Sequence, residues 1–535
     1  MKFTHLGLVF LSTMLVASLP AETKVEQASK DKILLFGNGS EPQNLDPHTV
    51  RGVTENHIIT ALIEGLIAYH PSDQAQPEPG LADRWEHNAD ASEWTFHIRD
   101  GAKWSNGDPV KASDFVFGFQ RILSPNLAAD YADQLFIMVG AEDFNKGRIT
   151  DFSKVGAKAL DDQNLRITLV GPTPYFLSML THYSWYPVHP STILKFGKID
   201  DRVSLWTRPE NYVGTGQFKL KEWKVNEVIT VERNPNYWDA KAVKLNGIHF
   251  YPIEDQNTEE RAFRAGELHL TNEVPLDKIP GYRRDNKDLI MISPYLGTYF
   301  YRFNLSRPAL KDVRVRQALN LALDRDSVVE NITRGGQKPA VGFTPQGMGG
   351  YQTPELIDYD PDKARQLLAD AGFPGGKGFP KFDILINTSE SHRTIAEGIQ
   401  QMWKEELGIN VGIRNEEWKV YLQSQTDMTY DITRSGWIGD YMDPVTFLSM
   451  WTTGNGNNNT HWSNAEYDGL IQQASKEPDQ AKRFGILQKA ETILLSDPPF
   501  ATIYWYTRVY LKSPHVVNWN PVLLDNHNYK YIDLK

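Results

Sequence analysis

Among its 535 residues the chain has no cysteine. That excludes a disulfide, a thiolate metal site, a cysteine nucleophile and a lipid-modified cysteine anchor. Long blocks of one charge are also missing: 56 Lys and Arg are interspersed with 67 Asp and Glu, for a formal net charge of -11, so nucleic acid is not an expected partner. After the N-terminus, no uncharged apolar run approaches the about 20 residues of a spanning helix. The motifs Gly-x-Ser-x-Gly, His-Glu-x-x-His and Gly-Lys-Ser/Thr do not occur, which removes the commonest signatures of a hydrolase, a zinc protease or a nucleotide-phosphate loop. Gly372-Phe-Pro-Gly-Gly-Lys377 runs into Gly378 and reads as a turn. The 14 histidines show no ligand-like spacing, and neither a metal nor another cofactor is expected.

What the chain does have is length, with 40% hydrophobic and 11% aromatic residues, enough to bury two or three cores. Fourteen Trp, 23 Tyr and 24 Phe suit either large cores or surfaces that grip mixed ligands. At the N-terminus, Lys2 precedes an apolar run from Leu6 to Val16, then Ala17-Ser-Leu-Pro-Ala21 and a polar stretch. This is the pattern of a cleavable signal peptide over 1–21, too short to span a bilayer.

Strand-like and helix-like segments then alternate. Strands are expected at 32–37, 94–99, within 219–233 as a pair about a Val-Asn-Glu turn, at 245–252, 380–387 and 411–415, and a last one at 528–534. Helices are expected at 57–66, at 115–123 capped by Ser113 or Asp114, ending at Gly266, at 312–323 with Asp312 near its cap, at 362–372 and at 394–407. The α/β alternation points to lobes whose ligands lie outside the carboxyl ends of strands.

Residues 94–121, WTFHIRDGAKWSNGDPVKASDFVFGFQR, resemble the signature region of the bacterial extracellular solute-binding proteins of the peptide-importer family, the periplasmic oligopeptide-binding proteins in particular. The resemblance continues through Pro172-Thr-Pro-Tyr175-Phe, GTGQFKLKEW at 214–223, ERNPNYW at 232–238 and DVRVRQALNLALDRD at 312–326. It implies two α/β lobes closing over a ligand, with an additional domain inserted early. The expected division is 22–70, 195–296 and 508–535 as a discontinuous lobe I, 71–194 as the inserted domain, and 297–507 as lobe II. It further implies a monomeric periplasmic receptor without catalytic activity or a lipid anchor, which passes short peptides to an inner-membrane ABC permease. Alternatives are the same fold holding a murein tripeptide, a nickel complex or an oligosaccharide, and a secreted hydrolase.

The candidate site centres on 430–444, where Arg434 and Asp440 flank Trp437 and the small residues Ser435, Gly436 and Gly439 allow a second backbone close approach. A cation and an anion near one another suit a zwitterion. Asp443-Pro444 reads as a helix cap with Pro at the first helical position, whereas Asp440 lies outside the cap. By resemblance Asp440 holds a peptide's α-ammonium and Arg434 its carboxylate, bidentately; for Arg434, pairing with a neighbouring acid is the plainer role. Trp418, Trp437, Tyr131 and His392 match positions that line side-chain pockets in relatives, and each also suits a core. Val53, after Arg51-Gly52, matches a segment expected to pair with the ligand backbone as an added strand. Gly297 and Ile438 stand where relatives carry cysteines. Gln425 occupies a place where a basic residue can occur. Arg302 stands where an acid is familiar, which should turn preference toward acidic ligand side chains.

Overall fold

A computed structural model describes residues 22–535; the expected signal peptide over 1–21 lies outside the described residues. Among the described residues no helix is long and apolar enough to cross a membrane.

The first sheet has four strands in the order Ile33–Gly37, Gly247–Tyr251, Val228–Arg233 and Phe218–Lys224. Ile33–Gly37 joins it in parallel, while the other pairs are antiparallel. The expected hairpin turns at Asn226, which takes φ 59°, a left-handed conformation that asparagine tolerates. A second, antiparallel sheet is built from Ala82–His87, Glu93–Ile98, Asn164–Thr168 and Ala157–Ala159. Its Trp94, Phe96 and Ile98 face inward in alternation with half-buried neighbours, as a half-covered strand demands.

The third sheet is mixed and six-stranded, ordered Lys338–Pro339, Phe500–Leu511, Ile290–Phe303, Ile432–Ile438, Phe382–Asn387 and Val411–Glu416. Helices Val313–Leu321, Pro361–Asp370 and Glu390–Leu407 contribute to the core it shares with Tyr299, Tyr301, Ile384 and Ile432. Two of its strands are unusually long. At one end, Ile290 and Leu511 pack with Val25, Leu35 and Phe263 of the N-terminal portion. At the other, Tyr301 and Ile503 pack with the helices just named. Between these ends the ladder is interrupted from Pro294/Thr507 to Thr298/Trp505. The boundaries expected near 297 and 508 both fall within these two strands.

Three element expectations are corrected by tertiary contacts. The helix expected at 57–66 runs over Val53–Leu62, because the Gly65 and Leu66 carbonyls accept hydrogen bonds from Leu81 and Gly80 instead of continuing it. The helix expected at 115–123 begins at Ala112; Asp114 lies inside its first turn, where its carboxylate accepts from the Lys111 N–H at 3.0 Å and from the Trp104 indole at 3.0 Å. Residues 528–534 form a short 3-10 turn, Tyr529–Tyr531, before a two-residue strand. There the Asn528 side chain accepts from the Lys530 N–H, and Tyr529 is buried with its hydroxyl on the His57 carbonyl. Asp312 caps Val313–Leu321 as expected, accepting from the Arg314 N–H.

Candidate functional site

Val53, Tyr131, Arg302, His392, Trp418, Arg434, Gly436, Trp437 and Asp440 all line one cavity of about 270 Å³. It is walled by three parts of the chain: Val53, Gln256 and Arg508 from one side, Tyr131 and His182 from the inserted segment, and Arg302, His392, Trp418 and residues 434–440 from the other. Contacts close over it. The Trp418 indole reaches Glu55 at 3.3 Å, Ser391 donates to Gln256 at 2.7 Å, and Tyr175 stacks on Tyr441 with centroids 5.5 Å apart.

The floor is the Ile432–Ile438 strand. It pairs with Ile290–Phe303 along its whole length, but its ladder to Phe382–Asn387 ends at Thr433. Residues Ser435 to Ile438 therefore border the cavity without a second strand beside them. Arg434, Gly436 and Ile438 alternate as the less buried positions; by strand periodicity they share one face. Gly436 is closely packed there: a Cβ would fall 2.6 Å from the Tyr506 hydroxyl. Gly297 and Ile438 are cross-strand partners, and the Ile438 side chain fills the place a Gly297 Cβ would take.

Asp440 ends that floor. Its carboxylate accepts from Gln134 Nε2 at 2.8 Å, Tyr131 Oη at 3.3 Å and Thr446 Oγ1 at 3.4 Å. His182 Nε2 lies 3.4 Å away; because its Nδ1 accepts from the Ser184 N–H, the ring hydrogen belongs on Nε2, facing the carboxylate. Burial holds His182 at about 3, so it is neutral at physiological pH. Asp440 is thus surrounded by neutral donors. Burial first, and the nearby Asp133 charge second, hold its carboxyl well above the usual carboxylate range despite those hydrogen bonds.

Arg434 lies six residues before Asp440, about 20 Å of extended backbone. Its guanidinium donates to Asn387 Oδ1 at 3.2 Å and Tyr506 Oη at 2.9 Å, rests over the Tyr299 ring at 4.9 Å, and leaves Nε without a partner. Among the described residues no carboxylate lies within ion-pair distance of it, so the pairing with a neighbouring acid is not found. His392 sits behind, its Nδ1 3.4 Å from the Tyr299 hydroxyl; burial and then the Arg434 charge push its pKa well down.

The other expected residues divide. Tyr131 packs on Trp437, with centroids 6.1 Å apart, while the Trp437 indole N–H is committed to the Thr446 carbonyl at 2.7 Å. Trp437 is therefore a wall. Trp418 opens the helix Trp418–Thr426 and stacks on Tyr421. Val53 is the first residue of the helix Val53–Leu62; extended backbone stops at Gly52, so the segment expected to pair as a strand is a helix entry, and the open edge lies at 435–438. Arg302 is 4% exposed, with Nη1 on the Asn457 carbonyl at 2.7 Å. The helix expected to open at Pro444 begins at Val445, with Pro444 in the cap position; Asp443, one residue earlier, still accepts from the Val445 N–H at 3.0 Å and also pairs bidentately with buried Arg483.

Gln134, His182, Tyr506 and Arg508 were not foreseen; they come from distant parts of the chain and carry no local motif. Among the described residues no group of three or more His, Asp or Glu is placed to hold a metal ion.

A closed cavity between lobes, with a carboxyl at one end and a guanidinium at the other that each lack an oppositely charged partner among the described residues, defines a binding protein of the two-lobed solute receptor class. The chain belongs to the bacterial extracellular solute-binding proteins of family 5, whose "Family 5 Middle" model matches residues 76–459. It is 38% identical to the periplasmic oligopeptide-binding protein OppA of Salmonella typhimurium over 520 residues, covering 95% of this chain and 93% of the relative. Among solved structures, Haemophilus influenzae OppA in complex with RPPGFSPFR matches with TM-score 0.89 at 33% identity, over 94% of this chain and 99% of that one. The Escherichia coli murein tripeptide binding protein MppA gives the same TM-score, identity and coverage. MppA in its unliganded open form gives 0.64 at 32% identity, over 96% of this chain and 99% of that one. The lobes of this chain are accordingly arranged unlike that open form, in keeping with the contacts that close its cavity.

Proposed function

We propose that this protein is a monomeric periplasmic receptor, exported by a signal peptide over 1–21, that captures short peptides by main chain and termini and delivers them to an inner-membrane ABC importer. It performs no reaction on them. The observation that carries this reading is the pairing of opposite deficits along one strand. Asp440 has only neutral donors and Arg434 has no carboxylate, while the strand edge between them has hydrogen-bonding groups free for an added strand. An α-ammonium on Asp440 and an α-carboxylate on Arg434 would remove both deficits. Backbone pairing along 435–438 would add affinity without reading side chains, and waters would fill side-chain pockets. Names of relatives point the same way, since the OppA proteins of Salmonella typhimurium and Haemophilus influenzae are both named periplasmic oligopeptide-binding proteins.

Closure is a hinge motion, for which the interrupted ladder in the two long strands is the natural pivot. The proposed lobes follow the division expected from sequence: 22–70 with 195–296 and 508–535, the inserted 71–194, and 297–507. The importer would recognise the closed form.

The test is calorimetric titration of the ligand-stripped protein with a tripeptide and with the same peptide N-acetylated or C-amidated. Tight binding of the free peptide only, with the peptide recovered intact, is the expected result. Equal binding of the blocked forms would reject the assignment of the termini, and cleavage would reveal a hydrolase. The match to a murein tripeptide binding protein favours a second ligand reading, so murein tripeptide belongs in the same titration; its exclusive binding would replace the general peptide reading.

A further inference from the structure

Three guanidinium groups line the cavity without a carboxylate within ion-pair distance among the described residues: Arg434, Arg302 and Arg51. Arg434 is accounted for by a ligand carboxylate. The other two face a different compartment.

Arg302 projects from the Ile290–Phe303 strand. It is paired in register with Thr433, so by strand alternation it lies on the face of Thr433, Ser435 and Trp437, opposite to that of Arg434. Its guanidinium is held by aromatic rings, 5.6 Å from Phe300 and 5.9 Å from Trp451, and by the Asn457 carbonyl. Its Nε has no partner. Arg51, just before the helix Val53–Leu62, reaches over the cleft to the Leu422 carbonyl at 2.8 Å and to Thr426 Oγ1 at 3.2 Å. Gln425, which also lines the cavity, sits on the same helix, Trp418–Thr426. Both cations line the one cavity, and burial lowers Arg302 to about 10, so that it remains charged at neutral pH.

Other buried guanidinium groups, within the core or on the cavity wall, are surrounded by acids or carbonyls. Arg121 pairs with Asp46, Arg483 with Asp443 and Arg508 with Asp525; Arg325, buried without an acid, is filled by carbonyls from Thr502, Asn320 and Leu323. A buried guanidinium on a cavity wall, held by a single carbonyl and with no acid within ion-pair distance among the described residues, is a site that lacks its anion.

We propose that the compartment between Arg51 and Arg302 is a specificity pocket for an anionic ligand side chain, an aspartate or glutamate of the bound peptide. This rests on the peptide reading above. An added strand along 435–438 turns alternate side chains to opposite faces, so only the ligand positions on the Ser435/Trp437 face reach Arg302. The pocket thus selects by position, and the main-chain contacts stay common to all ligands.

The experiment is competition binding with Ala-Ala-Ala and its six single-site Glu and Lys variants, on wild type, Arg302→Met and Arg51→Met. A Glu at one or both positions of one face should bind about tenfold to a hundredfold tighter than Ala, the range of a charge-assisted hydrogen bond, and Lys there should bind more weakly. In each variant the ratio of Glu to Ala affinity should fall toward one. Because Arg302→Met alters packing in the core, the half-buried Arg51→Met serves as an independent readout. The proposal is overturned if no Glu peptide outbinds Ala-Ala-Ala, or if the preference survives in both variants. Failure of all seven peptides to bind would instead defeat the underlying peptide reading, and this one with it.

Discussion

Buried charge is handled in two ways in this molecule, and the difference separates architecture from site. Inside the packed cores, carboxylates and guanidinium groups meet each other: Asp46 with Arg121 and Asp443 with Arg483, all nearly inaccessible. Around the cavity, Arg302 is as deeply buried and Asp440 and Arg434 are somewhat less so, yet all three are held only by neutral partners. Removing two charges from water is costly, and a pair recovers part of that cost through mutual attraction. A charge left with neutral partners keeps most of it until a ligand supplies the opposite sign. Asp440 and Asp443, three residues apart, thus belong to opposite classes.

Substitutions can break this comparison, and the largest effect is expected in the core. Asp443→Ala strands Arg483 and removes the acceptor of the Val445 N–H, so unfolding by urea should show a loss of about 3–5 kcal/mol, while the folded fraction still binds peptide with little change. Asp440→Asn should do the reverse. Tripeptide affinity measured by calorimetry should fall by on the order of 3 kcal/mol, because the ligand ammonium is left unpaired, and stability should be unchanged or higher. If both substitutions weakened stability alike, the division would be wrong.

Arg434→Met comes next. It should weaken a free tripeptide by about 1.5–3 kcal/mol, the range for a hydrogen bond to a charged group, and leave a C-amidated one nearly unaffected. Gly436→Ala should give a smaller loss, about 1 kcal/mol, since its Cβ would displace the Tyr506 hydroxyl that steadies Arg434.

The smallest expected effect is that of pH. Ammonium binding needs Asp440 ionised, whereas in the ligand-free cavity burial raises its pKa. Binding therefore releases a proton, and affinity should rise as pH climbs from the ordinary carboxylate range through the raised value, then level off. In the ligand-free closed protein the sign is opposite: the protonated carboxyl contributes stability at low pH that is lost as pH rises through the folded-state pKa. An N-acetylated peptide titrated in parallel should show no such rise.

Much of this was legible in the chain. Alternation set the strand Glu93–Ile98, a short apolar run set Phe382–Asn387, and Asp312 announced its helix. The candidate residues, identified through motifs and resemblance, all converge on one cavity. Illegible were those whose partners are remote. Val53, expected by resemblance beside a ligand strand, is a helix entry, and the same helix stops at Leu62, after which Gly65 and Leu66 pair with 80–82. Gln134 and His182, the donors around Asp440, lie some 250 to 300 residues from it. Arg51 became visible only as a second guanidinium lining the cavity with Arg302.

What the sequence determined by itself is what depends on neighbours along the chain: period, caps, turns, the absence of cysteine chemistry, and the placing of Arg434 and Asp440 on one strand and its continuation. The tertiary structure decided which charges are paired. Pairing turns on which groups share a few ångströms of low-dielectric space after folding, and chain distance says nothing about that. Asp443 finds Arg483 and becomes part of the core; Asp440 finds only neutral donors and is left for a ligand.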